Sequence, residues 1–400
     1  MAVRRLRSSV SGLTGGGRGR LLASVSLGWF LILGMRFVVP SVLPTIAASF
    51  DATGTQAGIA VTVLWVTYAA MQFPAGYYAD RLGERVLLIA GLLVGAGGLV
   101  TYSFTPTYAL FVVATGVFGL GTGLYGPPRG TVISKTFEEN DGAAFGAMLA
   151  AGSVGAALLP GVAALAVVEV GWRTTLGAAA PALLVAALAV WLAVPDTRLE
   201  TPAGGGSLRE AARTAGDAIR NRRVALAVAG AVVMLFVFQA ATAFLTTYLV
   251  EVKGLAQGTA GTLLGALFLV GAVSQGVGGG LADRFGAPAV LTAISGVSVL
   301  PLLALPLAEG TAALAAGSAL IGLRMSIGPV SNAYIIDALP DAVEGTAWGA
   351  IRTGLFLVGS LGSTLVGTMA DAGYFDGAFY LLAALTGVGA LLYRRLPERH

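Results

Sequence analysis

The sequence predicts an all-α membrane protein of twelve transmembrane helices, arranged as two pseudo-symmetric six-helix bundles. Three observations carry that prediction: too little charge for a water-facing surface, apolar blocks of spanning length, and a repeat that relates the two halves. Of the 400 residues, 11% are charged and 56% hydrophobic, against about 25% charged in ordinary soluble domains. Mean hydropathy is +0.83. The apolar residues gather in blocks of about 20, the length that crosses a hydrocarbon core of about 30 Å.

Residues 1–20 form a basic tail with Arg4, Arg5, Arg7, Arg18 and Arg20. The apolar run after it exceeds the 7–15 residues of a signal-peptide core and contains Arg36, Pro40 and Pro44, so it reads as span 1. Spans 1 to 6 fall at 21–47, 55–78, 86–104, 108–134, 143–168 and 174–194, making an N-terminal bundle over 21–194. In span 4, Gly126-Pro127-Pro128 is expected to bend the helix, because proline removes a backbone hydrogen bond. Residues 195–223 are the longest polar stretch, a cytoplasmic linker broken by Gly204-Gly205-Gly206. Its segment from Ser207 to Arg213 reads equally as a short amphipathic helix at the membrane surface or as flexible chain. Spans 7 to 12 fall at 224–250, 258–281, 287–307, 311–336, 345–369 and 376–394, the C-terminal bundle over 224–394, and 395–400 is a second tail. Glycines on span 3 (Gly91, Gly95, Gly98) and span 11 (Gly354, Gly359, Gly362) allow close helix approach.

Lys and Arg set the orientation. With the N-terminus inside, cytoplasmic segments hold 18 of them and outer loops only Arg173 and Lys253. Such a bias places both termini in the cytoplasm. It also explains the net charge of +4 without nucleic acid, which is not expected as a partner.

The halves repeat. Gln72, Gly76, Ala79, Asp80, Arg81 and Gly83 recur 203 residues later as Gln275, Gly279, Ala282, Asp283, Arg284 and Gly286. At the same offset Ala57-Gly58 becomes Ala260-Gly261 and Gly146 becomes Gly349, while Gly126-Pro127 recurs at 202 as Gly328-Pro329. A parallel repeat of six-helix units puts a binding site near the midplane between them.

The run Gly76-Tyr77-Tyr78-Ala79-Asp80-Arg81-Leu82-Gly83-Glu84-Arg85 resembles the signature loop between spans 2 and 3 of the major facilitator superfamily. A degenerate copy covers Gly279 to Gly286, and Gly171-Trp172-Arg173 at the span 5–6 turn is a further element of likeness. The resemblance covers all twelve spans and implies a secondary transporter in the inner membrane, without naming a substrate. It implies that Asp80 meets the N-terminus of span 11 and Asp283 that of span 5, each carboxylate opposing a helix dipole. Arg81 or Arg85 is expected to pair with Glu138, Glu139 or Asp141, and Arg284 with Asp337. Together these contacts would form a latch that closes the cytoplasmic side in one state. Gly83 and Gly286 supply turns with positive φ.

Four basic residues lie inside spans, namely Arg36, Arg129, Arg324 and Arg352, and no carboxylate lies at depth. An intramembrane charge faces a cavity or a partner, so a water-filled cavity for an anion is the simplest account. Arg36 is about 16 Å from the nearer end of its span at 1.5 Å per residue, too deep for comfortable snorkelling. Arg324 is equally central, and Arg352 and Arg129 are shallower. By the resemblance, spans 1, 4, 7 and 10 line the cavity with 2, 5, 8 and 11 beside them, which fits these positions. Guanidinium groups suit carboxylate or phosphate through bidentate bonds. Gln239, Gln72, Gln275, Tyr68 and Asn332 are further candidate contacts, although helix–helix bonding accounts for the glutamines as well.

An organic-anion carrier is therefore the expected function. Arg36 resembles the span 1 arginine of organophosphate antiporters, whose span 7 arginine is Gln239 here. Nitrate carriers place arginines where this chain has Gln72 and Gln275. The alternative is drug efflux, although the span 4 arginine of those exporters is Thr115 here and their span 5 Gly-Pro element is at best the degraded run Gly152 to Ala156. A transport-inactive sensor is the remote reading. The chain has no cysteine and one histidine, the terminal His400, so a histidine-based or metal-dependent intramembrane enzyme is not expected, nor any cofactor or metal. A monomer is expected, with the lipid bilayer and a small anion as partners. With no cavity carboxylate, a coupling proton would enter on a weak acid, or a counter-anion would be exchanged.

Overall fold

The computed structural model describes residues 17–138, 140–196, 208–339 and 344–397. All regular structure among them is helical. Span 1 is Arg18–Ser41 continued by Leu43–Ser49, span 2 is Gly54–Leu82, span 3 Glu84–Ser103 and span 4 Tyr108–Thr136. A run of 53 apolar helical residues follows, Asp141–Ala193. At 1.5 Å per residue it would measure about 80 Å, far beyond one hydrocarbon core. Gly171, at φ 74°, breaks it into two crossings, 141–170 and 172–193. Spans 7 and 8 are Arg222–Glu251 and Gln257–Phe285, and span 9 is Ala287–Val297 with Val299–Leu307. Span 10 joins Gly310–Ile321 and Ile327–Asp337 through a 3₁₀ stretch, Gly322–Ser326. Spans 11 and 12 are Glu344–Asp371 and Phe375–Arg394. Among the described residues twelve crossings result, and they form two six-helix bundles.

Local sequence explains the ends. Thr53 and Gln56 form a capping box at the start of span 2, which ties down two backbone donors. Gly83 and Gly286, at φ 85° and 83°, turn spans 2 and 8 into spans 3 and 9. Span 4 stays helical through Pro127 and Pro128.

Side-chain burial runs opposite to that of a soluble protein. Leu165, Val168, Val185, Leu269, Val273 and Leu300 are more than half exposed on the outside of the bundles, where acyl chains would cover them. Between the bundles are buried polar and charged groups. The linker holds a helix, Leu208–Ile219. Its Ala215 is buried against the start of spans 7 and 11, in a cluster with Val224, Ala347 and Ile351. Gly204 to Ser207 lie outside the described residues.

Candidate functional site

Two adjoining lobes, each of about 220 Å³, form a cavity: one lies between the bundles, and the other is lined by the C-terminal half alone. Both lobes are lined by Gln275, Arg352 and Phe356. The first also takes in Arg36, Tyr68, Arg129 and Gln239. Arg36 is 2% exposed and Arg129 6%. The Arg36 guanidinium carbon lies 4.3 Å from the Tyr68 ring centroid and 5.3 Å from those of Trp29 and Trp65. Arg129 lies 3.7 Å from the Trp29 ring and contacts Met148 Sδ at 3.6 Å. Aromatic faces attract cations, by about 2 kcal/mol when desolvated. These rings let the charges stay buried where no carboxylate lines the cavity.

The arginines keep unused donors. Arg36 Nε and Nη2 and Arg129 Nε have no hydrogen-bond partner, and neither amide atom of Gln239 has one although that residue is fully buried. Buried polar groups are nearly always paired. Unpaired donors around a cavity mark where a ligand's acceptors would go. Arg36, Arg129 and Arg352 also act electrostatically on one another.

The second lobe is lined by Arg324, Ser331, Asn332 and Tyr393. Arg324 Nη2 donates to Met234 O at 3.1 Å, and Nη1 is unpartnered. Arg36 and Arg324, both expected to face the cavity, line different lobes of it. The 3₁₀ stretch is the local cause, since it carries Arg324 in a tighter turn facing span 7. Ser274 Oγ supports that stretch by donating to Leu323 O at 2.6 Å. Gln72 is a second correction. It lines neither lobe, and its Nε2 donates to Gly123 O at 3.3 Å, so it ties span 2 to span 4.

The signature loops pair differently from expectation. Arg81 lies 3.8 Å from the Tyr77 ring, and Arg85 5.6 Å from that of Trp191. Lys135 instead bridges the loop at 2.6 Å to Glu84, in the first turn of span 3. Asp141 accepts from Ser134 at 3.0 Å, and Glu138 is exposed. Asp337 pairs with Arg223 at 3.0 Å, while Arg284 lies 5.0 Å from the Phe285 ring. Asp283 is exposed and lines an open groove with Gly286, Pro329 and Tyr334 of its own half, away from span 5. Glu139 and the side chain of Asp80 lie outside the described residues.

The bundles meet at the opposite end. Asp371, closing span 11, accepts hydrogen bonds from Gly54 N at 2.6 Å, Thr55 N at 2.8 Å and Thr55 Oγ1 at 2.6 Å. Thr62 Oγ1 bonds to Ser360 O and Thr364 Oγ1, both at 2.8 Å, and Gln257 donates to Ser41 O. Gly58 lies so close to Ser363 and Thr364 that an added Cβ would sit 2.8 Å from Thr364 Cα. Its repeat partner Gly261 crowds span 5 at Pro160 and Ala164 in the same way. At the loop end, Gly76, Gly146, Gly279 and Gly349 have nothing within 4 Å of a built Cβ. There, no hydrogen bond among the described residues joins the halves. The cavity is closed at the Asp371 end and open at the Arg81 end.

Sequence reasoning missed the gate residues Asp371, Thr55 and Gln257, and the rings of Trp29 and Trp65. One signal for Trp29 was available. It lies seven residues before Arg36, two helical turns away on the same face.

A family model described as Major Facilitator Superfamily matches residues 25–363 and 257–400. The uncharacterized MFS-type transporter YfnC of Bacillus subtilis is 26% identical over 385 residues, covering 92% of this chain and 91% of its own. A protein of Cupriavidus necator named probable sulfoacetate transporter SauU is also 26% identical, over 94% and 92% of the two chains. Among solved structures, a mutant of the nucleoside transporter NupG superposes with a TM-score of 0.82 at 15% identity, over 94% of this chain and 99% of that one.

Proposed function

The chain belongs to the major facilitator superfamily, and we propose that it carries a small organic anion across the cytoplasmic membrane by alternating access. It is a multi-pass membrane protein of a transporter family, not an enzyme. The observation that carries the anionic substrate is the first lobe. Three arginines line it, several of their donors are unpaired, and no carboxylate is present. Carboxylate, phosphate and sulfonate all present the acceptors that guanidinium forks match. The likeness to a protein named for sulfoacetate supports the same class.

Drug efflux also has an observation in its favour, the aromatic lining. That reading expects neutral or cationic compounds, and three guanidinium groups would repel the latter. A thermal-shift screen of the purified protein separates the two. Carboxylates, phosphates and sulfonates should raise the melting temperature, and cationic drugs should not. Stabilisation by cations alone would overturn the anionic reading. Uptake of the anion found into proteoliposomes separates a carrier from a sensor.

In this reading the Arg81 end faces the cytoplasm, and the structure is inward-facing. The 18-to-2 basic asymmetry supports the orientation. Four glycines at the open end occur as repeat pairs, Gly76 with Gly279 and Gly146 with Gly349, as Gly58 does with Gly261 at the closed end. Small residues at both ends suit two bundles that rock between two close packings. A cysteine introduced at Gly205 should react with reagent only from the cytoplasmic side. Labelling from outside intact cells would reverse the orientation.

A further inference from the structure

Resting on the reading of the cavity as an anion site, we infer that the substrate is an amphiphilic organic anion. Its anionic head sits between Arg36, Arg129 and Arg352, and its planar, apolar body lies against an aromatic wall that both halves supply. Phe37 belongs to span 1, Trp65 to span 2, Phe238 to span 7, Phe268 to span 8 and Phe356 to span 11, and all five line the same lobe as the arginines. Phe37 meets Phe268 with ring centroids 4.2 Å apart, and Trp65 stacks on Phe356 at 5.9 Å and 19°.

Holding the arginines accounts for only part of this wall. Arg36 takes its ring contacts from Trp29, Trp65 and Tyr68, Arg129 from Trp29, and Arg352 from Phe356. No guanidinium is placed over Phe37, Phe238 or Phe268 among the described residues. Those three rings pack on one another rather than on an arginine, and Phe238 is the partly exposed one that lines both lobes. The supply of polar partners points the same way. Beyond the guanidinium groups, the lobe offers few hydrogen-bonding side chains, namely Tyr68, Ser153, Gln239, Gln275 and the indoles of Trp29 and Trp65. A polyhydroxylated substrate, such as a sugar phosphate, would lose water from hydroxyls that find no replacement, and each unpaired group is costly. A ring or short hydrocarbon body needs no partners and gains by leaving water.

Charge and size narrow the class. Three mutually repelling cations favour a dianionic head over a single charge. Two adjoining lobes of about 220 Å³ each bound the substrate to a small molecule. Because the wall joins spans 1 and 2 to spans 7, 8 and 11, a body seated on it touches both bundles at once.

Titration of the purified full-length protein with phenylphosphonate, methylphosphonate and benzyl alcohol tests this. The two phosphonates share a head, and the alcohol keeps the ring without charge. Phenylphosphonate should bind at least tenfold more tightly than methylphosphonate, and the alcohol should not bind measurably. Phe238→Leu should cut the preference to about threefold or less and leave methylphosphonate binding unchanged. Phe268→Leu serves as a second variant should the first fail to fold. Equal affinity for the two phosphonates would overturn the apolar body and leave the anion site standing. Binding of the alcohol but of neither phosphonate would overturn the anion site itself, and so would no binding at all.

Discussion

An Arg36→Gln protein should bind an anionic ligand roughly 10- to 100-fold more weakly than the parent while keeping its fold. A hydrogen bond to a charged group contributes about 1.5–3 kcal/mol, and each 1.4 kcal/mol is tenfold in affinity. The expected loss lies at the upper end because Arg36 is 2% exposed and keeps two donors unpaired by protein. Lysine at this position should recover only part of the affinity. It keeps the charge but loses the planar fork and the stacking on Tyr68 and the tryptophans. Arg324→Gln should cost less, since one arm of that guanidinium is already committed to the Met234 carbonyl. Isothermal titration with phenylphosphonate measures all three, with circular dichroism as the check on folding. Parent-like binding by a folded Arg36→Gln protein would remove the site.

The contrast between Arg36 and Arg324 shows how far the sequence could be read. Depth along a span is legible from counting, because the helical rise is fixed, and both arginines are buried as that count required. Which neighbour each side chain meets depends on packing between segments hundreds of residues apart. The 3₁₀ turn that sends Arg324 into a second lobe has no marker in Gly322 to Ser326 that distinguishes it from helix. The twelve crossings were legible, including the break at Gly171 that helical geometry alone conceals. The repeat pair Gly58 and Gly261 is visible as a pattern, while its meaning, the crossings of span 2 with span 11 and span 8 with span 5, depends on packing between distant segments. The latch pairs are a different case, since they belong to a state closed at the Arg81 end and this structure is open there. Charges near a loop have several partners within reach, and Lys135 with Glu84 is as good a match as any of those drawn.

Replacing Asp371 by alanine should shift the population about 5- to 30-fold toward the state open at that end. This carboxylate belongs to the C-terminal bundle and caps span 2 of the other bundle through three hydrogen bonds, two of them from backbone donors. A negative charge at a helix N-terminus is stabilised further by the dipole. Asp371 is exposed, so water replaces part of what is lost. A net loss of about 1–2 kcal/mol corresponds to that 5- to 30-fold range. Only the closed state contains the contact, so its removal must favour the other. The chain has no native cysteine, which makes spin labels at Ala52→Cys and Ala372→Cys a clean probe of the gate. Distances between them should gain a longer population in the Asp371→Ala background, and a cavity probe at Ser331→Cys should react more slowly from the loop end. Gly58→Leu should act in the same direction by a different route, because the new side chain has no room beside Thr364. Were Gly58→Leu to open the gate while Asp371→Ala left the distances unchanged, helix packing would hold this end shut, and the carboxylate would cap span 2 without locking it.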